Sequence, residues 1–269
     1  MLALVICSPA RAQDATYIGE SKCVVCHVEQ KPNFSHTVHA KAMRTNPANE
    51  LQAKVCEACH GPGSRHVKDT EDKSLIIGFT RSWGTPIEKQ TGQCLECHKG
   101  GQRLFWSGST HEMNRVACAD CHNPHYLTSS AERTDVPDVC ARCHSDIAAQ
   151  YKDSVHGAAL LEERNTEVPT CTDCHGVHDI DDPRTAAFRN GIPQLCARCH
   201  TDPAIMDKYG ISTNVLSTYV ADFHGTTVVL FDKTYPDQPT NKPVCTDCHG
   251  VHDIAKADDP AKGLAVRQN

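Results

Sequence analysis

Apolar residues along this chain come in short groups set between polar stretches. From Thr213 to His224, the residues Val215, Leu216, Tyr219, Val220 and Phe223 recur at helical spacing. They predict a helix that ends at His224, with Gly225 as its stop. Ser145 to Gly157, with Glu162 nearby, reads as helical for similar reasons, with His156 just before Gly157. Thr226 to Phe231 is β-like and predicts an isolated strand. Asp69 to Thr91 reads as a surface loop and Ala255 to Asn269 as a loose tail. The fold class that follows is mostly irregular, with short α-helices and little β.

The N-terminus, Met1 to Gln13, has its own pattern. An apolar run (Leu2, Ala3, Leu4, Val5, Ile6, Cys7) leads to Pro9 and then Ala10-Arg11-Ala12, a small-x-small cleavage site. This predicts a secretory signal over residues 1–12, although the usual basic start is missing. Cleavage after Ala12 would remove Cys7, and the bulky Ile6 disfavours a lipoprotein anchor there. No later stretch approaches the roughly 20 apolar residues of a membrane span.

Aromatic residues make up only 5% of the 269 positions, too few for an ordinary apolar core of this size. Cysteine and histidine fill the gap, with 17 of each. Sixteen of the cysteines fall into eight CxxC pairs, and every pair is followed at once by a histidine. The triplets are Cys23/Cys26/His27, Cys56/Cys59/His60, Cys94/Cys97/His98 and Cys118/Cys121/His122, then Cys140/Cys143/His144, Cys171/Cys174/His175, Cys196/Cys199/His200 and Cys245/Cys248/His249. Zinc ribbons need two CxxC pairs per metal and no histidine after each one. In CxxCH the two thiols add to the vinyl groups of a haem, and the adjacent imidazole lies beneath the iron as its proximal ligand. Eight covalently bound c-type haems are therefore predicted, forming a stacked chain around which the polypeptide wraps. Without them the chain lacks a core, and the apoprotein is expected to be unfolded.

Removing the eight proximal histidines leaves His36, His39, His66, His111, His125, His156, His178, His224 and His252. Their order repeats. From Cys23 it runs motif, His39, motif, His66, and from Cys94 it runs motif, His111, motif, His125. From Cys140 the histidines are His156 and His178, and from Cys196 they are His224 and His252. Four two-haem modules thus supply eight distal ligands, with only His36 unassigned. Modules three and four share CARCH and the longer CTDCHGVHDI, so duplication is the natural explanation. A histidine three residues after a proximal ligand lies on the same side of the porphyrin as that ligand. His125, His178 and His252 must therefore serve neighbouring haems, tying consecutive ones together. Met43 and Met113 follow His39 and His111 closely and are expected to pack beside those haems, leaving low-potential, bis-histidine irons.

The domains that follow are the signal (1–12), an N-terminal four-haem region (13–135), a C-terminal four-haem region (136–254) and the tail (255–269). The formal charge of -6, made more negative by haem propionates, disfavours nucleic acid and favours partners with basic docking patches.

The segments TYIGESKCVVCHVEQ, FSHTVHAKAM, CEACHGPGSRHV and CLECHKGGQRLFWSGSTHEMNRVACADCHNPH resemble the periplasmic decahaem cytochromes of the DmsE/MtrA type, over roughly Thr16 to Tyr126. The resemblance implies that His39, before the Ala-Met pair, is a distal ligand, and likewise His111 in the GSxH segment. Residues Asp138 to Ile180 and Gln194 to Ile254 resemble the doubled-CxxCH repeat of many multihaem cytochromes. The family implies electron relay between a membrane quinol dehydrogenase and other cytochromes, a terminal reductase or an outer-membrane conduit. This chain departs from it in carrying eight motifs where ten are usual.

The leading expectation is an exported electron carrier, periplasmic or extracellular, with no catalytic residue. Two alternatives stand beside it. One is a subunit of an extracellular cytochrome filament, in which His36 or His39 crosses a subunit boundary. The other is an octahaem oxidoreductase acting on nitrogen or sulfur oxyanions, which would need an open iron.

Overall fold

A computed structural model describes residues 14–126 and 132–263. The expected signal segment with Cys7 and the end of the tail lie outside the described residues. Within them every element is a helix or a short 3-10 turn, joined by loops, and no strand occurs.

The brevity of the helices follows from the motifs. Cys56–His60, Cys171–His175 and Cys245–His249 are each a little over one turn. The next residue is Gly61, Gly176 or Gly250, with φ of 77°, 78° and 86° and ψ near 180°. That backbone conformation is essentially restricted to glycine and ends each helix. The longest helix, Ala186–His200, is capped by Thr185 and carries the CxxCH beginning at Cys196 in its last turns. Its Ile192 packs with Val228 and Val244, against which Phe188, Cys196 and Cys245 lie. So small a cluster is a poor core for a chain of this length.

The described residues form two compact units. One lies in Met1–Lys99 and Val116–Ser129, the other in Gly100–Arg115 and Ser130–Asn269. The segment 100–115, which carries His111, thus belongs with the later modules. In the first unit Glu57 is 1% exposed. Its carboxylate accepts hydrogen bonds from the backbone N–H groups of Ile18, Gly19 and Gly63.

Four expectations are corrected. Thr226 to Phe231 is not a strand but the middle of a helix, Phe223–Thr234. Asp222 caps that helix, and the Thr226 and Thr227 hydroxyls donate to the carbonyls of Asp222 and Phe223 four residues back. Val228 is fully buried, and burial on a helix face outweighs a weak β preference. The helix expected from Thr213 to His224 is Val215–Ala221, and His224 opens the following helix instead. Gly225 is not a stop: a Cβ there would lie 2.0 Å from the Tyr219 carbonyl oxygen, so glycine permits a tight helix crossing. The span 145–157 is likewise two helices, Ser145–Lys152 and Val155–Leu161, capped anew by Ser154. A Cβ at Gly157 would lie 1.9 Å from the Tyr151 carbonyl oxygen.

Finally, Asp69 to Thr91 is not a plain surface loop. Ile77 and Gly78 are buried, and the Trp83 indole N–H donates to the carbonyls of Lys73 and Ile76. The Phe79 ring meets His60 edge-on at 5.2 Å. Its apolar residues are packed over an imidazole.

Candidate haem and axial-ligand sites

Each module brings its two CxxCH segments together through their first cysteines. The Cys94 and Cys118 thiols hydrogen-bond, as do Cys140 with Cys171 and Cys196 with Cys245, and Cys23 lies against Cys56 in the same way. Burial and then Cys23 push the Cys56 thiol up to about 12. Between modules the second cysteines approach: Cys59 senses Cys97, and Cys174 senses Cys199. Among the described residues no three Cys, His, Asp or Glu side chains converge on one metal-sized point.

The second cysteines are on the whole the more open ones. Cys26, Cys97, Cys121, Cys143 and Cys174 are exposed, whereas every first cysteine, like Cys59, Cys199 and Cys248, is partly buried. The cause is local. The first cysteine of each motif lies against its counterpart in the module, while the second, three residues on, stands at the end of the same short turn, away from that contact. A thiol must be open to add to a vinyl group, so this exposure suits thioether attachment at Cys26, Cys97, Cys121, Cys143 and Cys174.

The segments are tethered by a device that the motifs alone do not reveal. In CADCH and CTDCH the aspartate two residues before the histidine accepts the N-cap backbone N–H. Asp120 bonds Ala117, Asp173 bonds Thr170 and Asp247 bonds Val244. Each aspartate also receives an arginine: Arg81 at 3.0 Å, Arg133 at 2.7 Å and Arg189 at 2.8 Å. Arg133 and Arg189 reach further, to the carbonyls of Val168 and Lys242. Tyr151 and Tyr219 repeat the theme, donating to the carbonyls of Pro169 and Pro243. Burial, chiefly, raises both phenols, Tyr219 to about 12. Arg133 and Arg189 each stand seven residues before a CARCH motif, a signal that duplication made available.

Distal and proximal histidines meet in pairs. In the first unit His27 faces His66 with ring centroids 6.4 Å apart, His39 faces His98 at 5.8 Å and His60 faces His125 at 5.9 Å. In the second, His111 faces His144 at 6.2 Å, His156 faces His200 at 6.3 Å and His175 faces His252 at 6.0 Å. Two imidazoles sharing one iron have centroids about 6 Å apart, because each metal–imidazole bond is about 2 Å. The residues therefore fit a haem iron held from both sides. His39, not His36, faces a proximal histidine.

The pairing has a rule. The first distal histidine of a module faces the first proximal histidine of the next: His39 with His98, His111 with His144, His156 with His200. The second faces the second proximal histidine of the module before: His125 with His60, His252 with His175. These ties skip a motif rather than joining consecutive ones. The first module's remaining pair closes within the module itself, His27 with His66.

Burial, and then the facing imidazole, lowers His39, His111 and His156, the last to about 4. A neutral ring is what a metal requires. His60 is also lowered, chiefly by burial, and its Nδ1 lies 2.7 Å from the Ile77 carbonyl oxygen. His224 Nδ1 lies 2.6 Å from Asp222 Oδ1. Hydrogen bonds from the backbone and ring of His224 hold the Asp222 carboxyl below its usual range.

Paired CxxCH turns with facing imidazoles define a c-type cytochrome that carries several haems on one chain. Residues 56–134 match the family of cytochrome c-type proteins resembling NrfB, and residues 110–201 match the cytochrome c3 family. The chain is similar to the multiheme cytochrome MtrA of Shewanella baltica, 29% identical over 68% of this chain and 53% of that protein. It is also similar to cytochrome c-552 of Desulfotalea psychrophila, 24% identical over 53% of this chain and 35% of that protein. Cytochrome c-554 of Nitrosomonas europaea is 30% identical over 35% of this chain and 42% of that protein. The chain spans about half the length, or less, of these curated relatives. Among the described residues no helix is long and apolar enough to cross a membrane.

Proposed function

We propose that this protein is an exported electron carrier that binds eight c-type haems, each through two cysteines and two histidines. It would exchange electrons with redox partners in anaerobic or extracellular respiration. Its location would be the periplasm, or the extracellular space if it polymerises. The partner set implied is a membrane quinol dehydrogenase, other cytochromes, and a terminal reductase or outer-membrane conduit. When bound, haem supplies a one-electron iron couple; the protein's part is to hold, order and tune it.

The observation that carries the reading is the set of facing imidazoles at about 6 Å, the separation that one iron requires. Proximal His27, His60, His98, His122, His144, His175, His200 and His249 would each hold an iron. His39, His66, His111, His125, His156, His178, His224 and His252 would supply the sixth ligands. Closure within the first module suggests the same at the last, where His249 would take His224. The cysteine contacts support a haem order that follows the sequence within each unit. Steps inside a module run through first cysteines, and the step between modules through second ones. With both axial positions filled, no iron is left open for a substrate.

The test is low-temperature electron paramagnetic resonance of the oxidised holoprotein, with iron counted per chain. Eight irons, all low-spin, are expected. One high-spin iron in eight would replace this reading with the oxidoreductase.

A further inference from the structure

Modules three and four repeat one another around their distal histidines. Tyr151, Ser154, His156 and Gly157 correspond to Tyr219, Asp222, His224 and Gly225. In both, the tyrosine donates to the carbonyl two residues before the next CxxCH, and the glycine admits the tyrosine's own carbonyl. The cap differs. Ser154 Oγ accepts from the Gly157 N–H at 3.0 Å and donates to the Tyr151 carbonyl at 2.7 Å, so its hydroxyl is committed to backbone. Asp222 accepts the His224 backbone N–H at 2.9 Å, and its Oδ1 also lies 2.6 Å from His224 Nδ1.

A carboxylate can only accept, so Nδ1 carries the proton and donates it. That fixes the tautomer with the Nε2 lone pair free for a metal. It also draws the proton partly away from the ring, making the imidazole a stronger donor. A stronger axial donor favours ferric over ferrous iron.

We propose that Asp222 is a positioning residue that holds the potential of the haem ligated by His224 below that of the haem ligated by His156. The inference rests on reading His224 and His156 as axial ligands. With His224 serving the iron beside His249, the last haem attached along the sequence is the hardest of this pair to reduce. The duplicated module then ends on a downward step in potential, set by one change from serine to aspartate. The pair is half exposed, 49% for the His224 side chain and 58% for Asp222, so water screens it and the step is modest.

The experiment is a redox titration of the holoprotein, followed by optical and paramagnetic resonance spectra, on two variants. Asp222→Asn retains a side-chain oxygen for the cap but removes the charge. One haem in eight should then become easier to reduce, with about a three- to tenfold change in its reduced-to-oxidised ratio at fixed potential. Tenfold is about 59 mV for one electron. Ser154→Asp should move a different haem the opposite way. Unchanged midpoint potentials and low-spin signals in Asp222→Asn would overturn the inference, provided that His224→Ala gives one high-spin iron. If His224→Ala leaves every iron low-spin, the ligand reading of His224 fails and takes the inference with it.

Discussion

The first and last modules restrain the same kind of turn, a one-turn CxxCH helix, by opposite means. At Cys245 the restraint is Asp247, which bonds the Val244 N–H and receives Arg189 from another helix. The side chains of that pair are 35% and 38% exposed. At Cys56 it is Glu57, 1% exposed, held only by backbone N–H groups. One carboxylate is balanced by a cation near water, the other by dipoles out of water. In both turns a fixed carboxylate does the holding, whatever balances its charge. What differs is the cost of losing it.

Glu57→Ala should be the most damaging of these changes. It leaves three buried or partly buried backbone donors unpaired and loosens the segment around Ile18 from the Gly61-Pro62-Gly63 turn. Hydrogen bonds to a charged group contribute about 1.5–3 kcal/mol each, and not additively, so a loss of about 3–5 kcal/mol is expected. Denaturant unfolding of the holoprotein, followed by haem absorbance, measures it. A loss under about 1 kcal/mol would show that the carboxylate is incidental.

Breaking the ion pair is a milder test. A double-mutant cycle over Arg189→Ala and Asp247→Ala should give a coupling of about 1 kcal/mol, and the cycle over Arg133 and Asp173 about the same, since both arginines also bond a carbonyl. A coupling as large as the Glu57 effect would mean that burial does not govern the difference.

How much of this was legible depends on what each feature requires. The CxxCH motifs, the module order and the surplus of histidines are properties of spacing, and spacing is written in the chain. Short helices were legible too, because Gly61, Gly176 and Gly250 end them where they stand. Which imidazole faces which was not, since His39 and His98 are 59 residues apart and meet only once whole modules pack. Nor was the contrast between the two cysteines in five of the motifs, because a first cysteine is covered by a partner motif that only the fold brings near. The segment Thr226 to Phe231 misled because its β-branched residues were weighed without Asp222, whose cap starts a helix just before them. Asp69 to Thr91 misled because polarity was read as exposure. Within it the Ile77 carbonyl and the Phe79 ring meet His60, and the Trp83 ring meets His66.

The smallest effect belongs to the second module and sharpens the comparison most. Arg81 meets Asp120 at 3.0 Å, with the arginine side chain 61% exposed, well above Arg189 at 35%. Asp120 keeps its backbone bond to Ala117 whether or not the cation is present. Water can replace most of what Arg81 supplies, so a double-mutant cycle over Arg81→Ala and Asp120→Ala should give about 0.2–0.5 kcal/mol, shrinking further in high salt. The series Glu57, Arg189, Arg81 would then fall in the order of increasing exposure. Should the Arg81 cycle equal the Arg189 cycle, solvent access is not what separates the modules, and the cause must lie in which turns the arginines tie together.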